Sequence, residues 1–152
     1  MDELDSYDRK IIEVLREDAR ITVTDLAARV ALSKTPCKIR MQRLEKAGYI
    51  LKYAAITDPA KFDAGHIAFV QVTLRETTTK ALEAFNEAAR EVREIEQCHM
   101  IAAGFDYLLK VRTKDIAAYR RVLGEKVSSL PFVSQTSTFV VMEPVKDVGL
   151  GR

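Results

Sequence analysis

The chain has 152 residues, with 24 lysines and arginines against 22 aspartates and glutamates and a formal net charge of +2. That length buries one good core or two small ones, and two small domains fit better. No window approaches the ~18 apolar residues of a membrane-crossing helix, and the acidic start (Asp2, Glu3, Asp5, Asp8) lacks the basic-then-apolar order of a signal peptide, so a cytoplasmic protein with no membrane partner is expected.

Leu4 to Asp18 reads as a first helix, with Leu4, Ile11, Ile12 and Leu15 inward and Asp5 and Asp8 near its positive end. Thr22 to Asp25 is a capping-box-like start, and Asp25 to Val30 reads as a short helix with Leu26, Ala27 and Val30 inward. The turn Ala31, Leu32, Ser33 then leads into SKTPCKIRMQRLEKAG, the stretch on which the chain is organised. Ser33 is placed to cap a helix through its side-chain oxygen, Pro36 falls in the first turn, and Gly48 is placed to end it in a left-handed conformation. Cys37, Met41 and Leu44 recur at i, i+4, i+7 as an apolar stripe, while Lys34, Thr35, Lys38, Gln42 and Lys46 project from the other side. Two short helices joined by a three-residue turn have helix-turn-helix spacing.

Between Arg29 and Lys52 the bases are Arg29, Lys34, Lys38, Arg40, Arg43, Lys46 and Lys52 and the one acid is Glu45, a local balance of +6 in a nearly neutral chain. That is a phosphate-binding footprint, and lysine, threonine and glutamine at a helix start carry the donors and acceptors that read base edges in a major groove.

After Gly48, Tyr49 to Ile56 reads as a strand, stopped by Thr57 to Ala60; beside a helix-turn-helix it serves either as a wing or as a pairing strand for a second subunit. Lys61 to Gly65 reads as a hinge. From Ile67 the pattern changes period: strand at 67–74, helix at 77–92 with Leu82, Phe85, Ala89 and Val92 inward, strands at 95–103 and 105–111, helix at 115–130 with Ile116, Tyr119, Leu123, Val127 and Leu130 inward, and a strand at 133–142. The order βαββαβ is that of the ferredoxin-like split unit, a four-stranded antiparallel sheet with two helices on one face. Phe69, Tyr107, Leu109, Phe139 and Val141 would leave its other face too apolar to stand alone, which calls for a partner subunit. The expected fold class is therefore α+β, with a DNA-binding domain at 1–49, a strand and hinge linker at 50–65, a ferredoxin-like domain at 66–146 and a tail at 147–152.

Nothing in the sequence looks catalytic or metal-binding. There is no nucleophile triad, phosphate loop or dinucleotide fingerprint, and Cys37 and Cys98 have no metal-type spacing and read as structural. Cys98 and His99, adjacent on a strand, point to opposite faces, and His66 has no evident partner and reads as a surface or strand-edge residue.

With LSKTPCKIRMQRLEKAGYI, AAGFDYLLKVR and SLPFVSQTSTFVVME in this order, the chain resembles the Lrp/AsnC (feast/famine) family of bacterial transcription regulators from Leu4 to about Lys146, and within it the leucine-responsive regulators and the activators of proline dehydrogenase genes. The resemblance implies a non-enzymatic, sequence-specific regulator of amino-acid metabolism that binds double-stranded DNA, forms homodimers assembling into tetramers or octamers, and answers to an amino-acid effector such as leucine or proline. Ser33, Lys34, Thr35, Lys38, Ile39 and Gln42 would lie nearest the bases, and Arg40, Arg43 and Lys46 nearer the phosphates. Ile39 departs from the polar residues often seen there; it meets a thymine methyl or packs locally. The effector residues would be Met100, Ala102, Ala103, Gly104, Phe105, Asp106 and Tyr107 with Thr136, Thr138, Phe139 and Val140, where Asp106 balances an α-ammonium group or merely caps the turn. The Ala103-Gly104 order also departs from the family pattern, and a demand for positive φ at Ala103 would disturb the site. An architectural DNA-organising protein without a ligand is the alternative reading.

Overall fold

The computed structural model describes residues 3–146, so the tail expected at 147–152 lies outside the described residues. The chain divides into two compact units, residues 1–55 and 56–152. The expected linker at 50–65 is therefore shared between them.

The first unit is three helices. The α1 helix (Ser6–Glu17) starts in a reciprocal capping box: the Asp5 carboxylate accepts from the Asp8 N–H at 2.9 Å and the Asp8 carboxylate from the Asp5 N–H at 3.2 Å. The α2 helix (Val23–Arg29) is capped by Thr22, whose hydroxyl oxygen accepts from the Asp25 N–H at 3.1 Å. Ile11 and Leu15 of α1 meet Leu26, Ala27 and Val30 around α2 and Cys37 and Leu44 of α3 (Lys34–Lys46), and all of these are buried. The 3.6-residue period alone puts this set on one side of each helix.

The two ends of α3 depart differently from expectation. Ser33 is the N-cap, yet its hydroxyl makes no capping bond. The usual donor, three residues on, is Pro36, which has no N–H. Gly48 does adopt φ 76°, and the Tyr49 N–H donates to the Leu44 carbonyl at 2.9 Å while the Gly48 N–H donates to that of Glu45 at 3.0 Å, a Schellman ending.

The strand expected over Tyr49 to Ile56 is not formed. The segment runs without ladder pairing, and Leu51, Tyr53 and Ile56 are exposed. The Tyr49 and Ile50 N–H groups go instead to the Leu44 carbonyl at the end of α3. Among the described residues the first unit contains no strand.

The second unit opens with a 3-10 turn at Pro59–Phe62, capped by Asp58, and continues as β1 (His66–Leu74), α4 (Thr79–Glu91), β2 (Ile95–Met100), β3 (Tyr107–Thr113), α5 (Ile116–Val122) and β4 (Val133–Val140). The sheet is antiparallel in the order β2-β3-β1-β4, the expected ferredoxin-like topology. Ala68, Val70, Val72 and Leu74 of β1 and Tyr107, Leu109 and Val111 of β3 face Phe85, Ala89, Tyr119, Val122 and Val127, with the Phe85 and Tyr107 rings 4.2 Å apart.

Tyr107 and Leu109, expected on the open face, are thus core residues, 1% and 0% exposed. The open face takes the alternate residues, Phe69 opposite Phe139, Leu108, and the polar Gln71 and Ser137. Period-2 alternation makes a shift of one residue a change of face. Ile116, expected inward, is 52% exposed. It sits in the first turn of α5, where side chains lean past the helix end. That helix does not run on to Leu130; it widens into a π turn at Leu123–Val127, closed by the Ser128 N–H on the Leu123 carbonyl at 2.8 Å. His66 does find partners: its Nδ1 lies 3.0 Å from the Thr113 hydroxyl and its ring 5.6 Å from that of Tyr119.

Candidate nucleic-acid interface and effector residues

Lys34, Lys38, Gln42 and Lys46 stand at i, i+4 spacing along α3, and all four are exposed, as are Ser33 and Thr35. They form one ridge of donors and acceptors on the side away from the Cys37 and Leu44 core. Ile39 lies beside that ridge and is 59% exposed, so it does not pack locally. A bare isoleucine in a polar row matches what a thymine methyl requires. Burial raises the Cys37 thiol above its ordinary value, as suits a packing residue.

Arg40 and Arg43, unlike the lysines, are paired with acids of α1 and its cap. The Arg40 guanidinium donates from Nη1 to Asp5 at 2.6 Å and to Asp8 at 2.9 Å and lies 5.5 Å from the Tyr7 ring centroid, while Arg43 donates from Nη2 to Asp8. Asp8 itself has no exposed surface. The Asp8 backbone N–H, with Arg40 beside it, holds the Asp5 carboxyl below the usual carboxylate range, and the two carboxylates raise the Arg40 guanidinium in turn. The +6 balance read along the chain is therefore partly cancelled in space by acids 32 to 35 residues upstream. Asp5 and Asp8 are the site-shaping residues that chain-order reading missed. Their only sequence signal is the capping-box spacing.

The expected effector residues fall into two groups. Met100 ends β2, Ala102 to Asp106 make the β2–β3 turn, and Tyr107 opens β3; Thr136, Thr138, Phe139 and Val140 lie on β4. β2 and β4 are opposite edges of the sheet, three strand spacings or about 14 Å apart, but the turn reaches over β1: the Asp106 N–H donates to the Val72 carbonyl, and Val72 pairs with Thr136 of β4. Met100 is thus far from the β4 residues, and Asp106 lies one strand away from them. Within each group the side chains also divide: Tyr107 is buried under the helices, Thr138 faces Tyr119 with the two hydroxyls 2.5 Å apart, and Phe139 lies on the open face opposite Phe69.

The turn is held by Asp106, whose carboxylate accepts from the Leu74 N–H at 2.7 Å and whose own N–H donates to the Val72 carbonyl at 2.9 Å. Neither Ala103 nor Gly104 has a positive φ, and a Cβ at Gly104 would meet nothing within 4 Å, so the Ala103-Gly104 order brings no strain. The clefts lined by Glu94, Lys114 and Arg121, or by Asn86, Arg90 and Gln97, include none of the expected effector residues. Among the described residues no three His, Cys, Asp or Glu side chains gather as a metal site, and no helix is long and apolar enough to cross a membrane.

Residues 4–50 match the winged helix-turn-helix DNA-binding model and residues 67–150 the Lrp/AsnC ligand binding domain. The chain belongs to the Lrp/AsnC family. This family comprises DNA-binding transcriptional regulators, not enzymes. A proline dehydrogenase transcriptional activator of Rhizobium radiobacter is 59% identical over 149 residues, covering 98% of this chain and 96% of its own. The leucine-responsive regulatory protein of Escherichia coli is 45% identical over 144 residues, 95% of this chain and 88% of its own. Among solved structures, a transcriptional regulator from Neisseria meningitidis in complex with L-Met is 33% identical with a TM-score of 0.89, covering 95% of this chain and 94% of its own. An AsnC family transcriptional regulator from Agrobacterium tumefaciens has a TM-score of 0.90 at the same identity and coverage. This member of the Lrp/AsnC family thus carries both family modules, in family order.

Proposed function

We propose that this protein is a cytoplasmic, homo-oligomeric, sequence-specific regulator of amino-acid metabolism whose α3 helix enters the major groove and whose second unit binds a free amino acid. The observation that carries the DNA reading is the exposed ridge of Lys34, Thr35, Lys38, Gln42 and Lys46, with bare Ile39 beside it, on a helix capped and packed from the opposite side. Lys34, Thr35, Lys38, Ile39 and Gln42 read bases and Lys46 meets phosphate. A dimer presents two such helices about 34 Å or a multiple apart, to a pseudo-palindromic site.

Two surfaces support assembly of copies: the segment with exposed Leu51, Tyr53 and Ile56, and the open sheet face with Phe69, Leu108 and Phe139. The effector is a small amino acid, with proline and leucine foremost because relatives are named for proline dehydrogenase activation and leucine response. The L-Met complex of a relative with the same fold supports the class of ligand. A carboxylate at the β2–β3 turn and a second subunit's β4 close the site between copies.

Thermal melting and sedimentation with each of the twenty amino acids test this reading. A ligand at 100 times its dissociation constant adds about 2.7 kcal/mol to stability. A shift with proline or leucine, accompanied by a change in assembly, is expected; no shift with any amino acid refutes the sensing role and leaves DNA binding standing. Lys38→Ala and Gln42→Ala each weaken binding to a selected site with assembly intact. A selected site that unrelated DNA displaces as readily as itself refutes sequence specificity, which otherwise exceeds ~10³.

A further inference from the structure

Asp8 is the one charged side chain that is buried among the described residues. Its carboxylate takes the Asp5 N–H, Arg40 and Arg43, and Asp5 adds a second carboxylate to Arg40. A buried charge is strongly disfavoured without its partners, so the two arginines are held toward α1 by the acid beneath them. The cations of α3 are thereby sorted. Lys34, Lys38 and Lys46 stand on the exposed ridge, whereas Arg40 and Arg43 face α1.

Binding to any duplex, whatever its sequence, grows with the number of phosphates neutralised, and each one steepens the salt dependence by about 0.9 in the log–log slope. What a regulator needs is a high ratio of specific to non-specific affinity. We propose that Asp8, assisted by Asp5, is a positioning residue that restrains sequence-independent DNA binding by holding Arg40 and Arg43 off the phosphates, leaving discrimination to the ridge of α3. This inference rests on the reading that α3 enters the major groove, and it adds a device within the protein that limits how much of the helix's charge reaches the backbone.

The test uses the full chain and a mixed-sequence duplex, with anisotropy titrations across a range of salt concentrations. Asp5→Asn retains a good N-cap and leaves Arg40 on Asp8; Asp8→Asn keeps the side-chain volume, releases Arg43 and leaves Arg40 on Asp5; the two together release both arginines. The expected result is a salt slope steeper by about 0.9 in Asp8→Asn and by about 0.9 more in the double variant, with several-fold tighter binding at low salt. Adding Arg40→Gln and Arg43→Gln to the double variant returns the slope to that of the parent. Should the Asp8 variants fail to fold, as circular dichroism would show, Arg40→Gln in the otherwise unchanged protein decides: a shallower slope there means that Arg40 already meets phosphate and overturns the proposal. In the Asp8 variants, parent-like slopes, or weaker binding without a change of slope, overturn the proposal while the groove reading stands. A parent that binds no duplex overturns both.

Discussion

At the residue scale, Ala31 sits at φ 57° in the turn between α2 and α3, with its N–H donating to the Ala28 carbonyl at 3.3 Å. A left-handed conformation costs an L-residue about 1–2 kcal/mol, while glycine adopts it freely at an entropic cost of about 0.5–1 kcal/mol. Ala31→Gly therefore stabilises the first unit by up to about 1 kcal/mol, read as a higher denaturation midpoint with an unchanged slope. Tyr53 makes a second residue-scale case. The residue is 46% exposed, yet partial desolvation of its hydroxyl, and then the 2.8 Å bond to Glu45, push its phenol up to about 12. The neutral form is favoured in the folded state, so this contribution is complete below about 10 and is lost as pH rises through about 12. Burial raises Tyr107 and Tyr119 as well. Tyrosinate absorbance of the native protein is thus delayed to higher pH than in denaturant, and Tyr53→Phe removes part of the delayed step.

At the scale of elements, α3 carries both the exposed ridge proposed to face DNA and, through Cys37 and Leu44, part of the first unit's core. Leu44 is 1% exposed, and its carbonyl accepts the N–H groups of Tyr49 and Ile50 that end the helix. Leu44→Ala costs about 2–5 kcal/mol, a large part of what a domain of this size holds. Calorimetry is expected to show the transition of residues 1–55 lowered and that of 56–152 unmoved, with DNA affinity falling in parallel. The β2–β3 turn is a contrasting element, held by backbone bonds of Asp106 to Val72 and Ile101 and by its one carboxylate. Asp106→Ala removes the acceptor of the Leu74 N–H and lowers stability by about 1 kcal/mol. Asp106→Asn keeps an acceptor but not the charge. Loss of ligand response in Asp106→Asn at preserved stability identifies the charge itself as the contact to an α-ammonium group.

For the whole molecule, the sheet order puts Met100 and the β4 residues at opposite edges, about 14 Å apart, while Asp106 reaches β1 beside Thr136. If the proposed site between copies is the one that binds, the apparent affinity tightens as protein concentration rises through the range of assembly. Titration calorimetry at several protein concentrations checks this; a concentration-independent affinity shows that one subunit suffices.

The sequence by itself determined the two modules, their order and most of the helical residues of both cores, because helix periods are local and Cys37, Leu44, Phe85 and Val127 fall on them without knowledge of the rest. It also determined the exposed ridge of α3 and the left-handed end at Gly48, which follow from neighbours within one or two turns. Only the tertiary structure decided which cations of α3 stay free, because Asp5 and Asp8 approach Arg40 and Arg43 from 32 to 35 residues away. It likewise decided which face Tyr107 and Leu109 take, since strand register turns on pairing, and it formed no strand over 49–56. Charge pairing and strand pairing act between positions that are distant in sequence, and no local pattern records them.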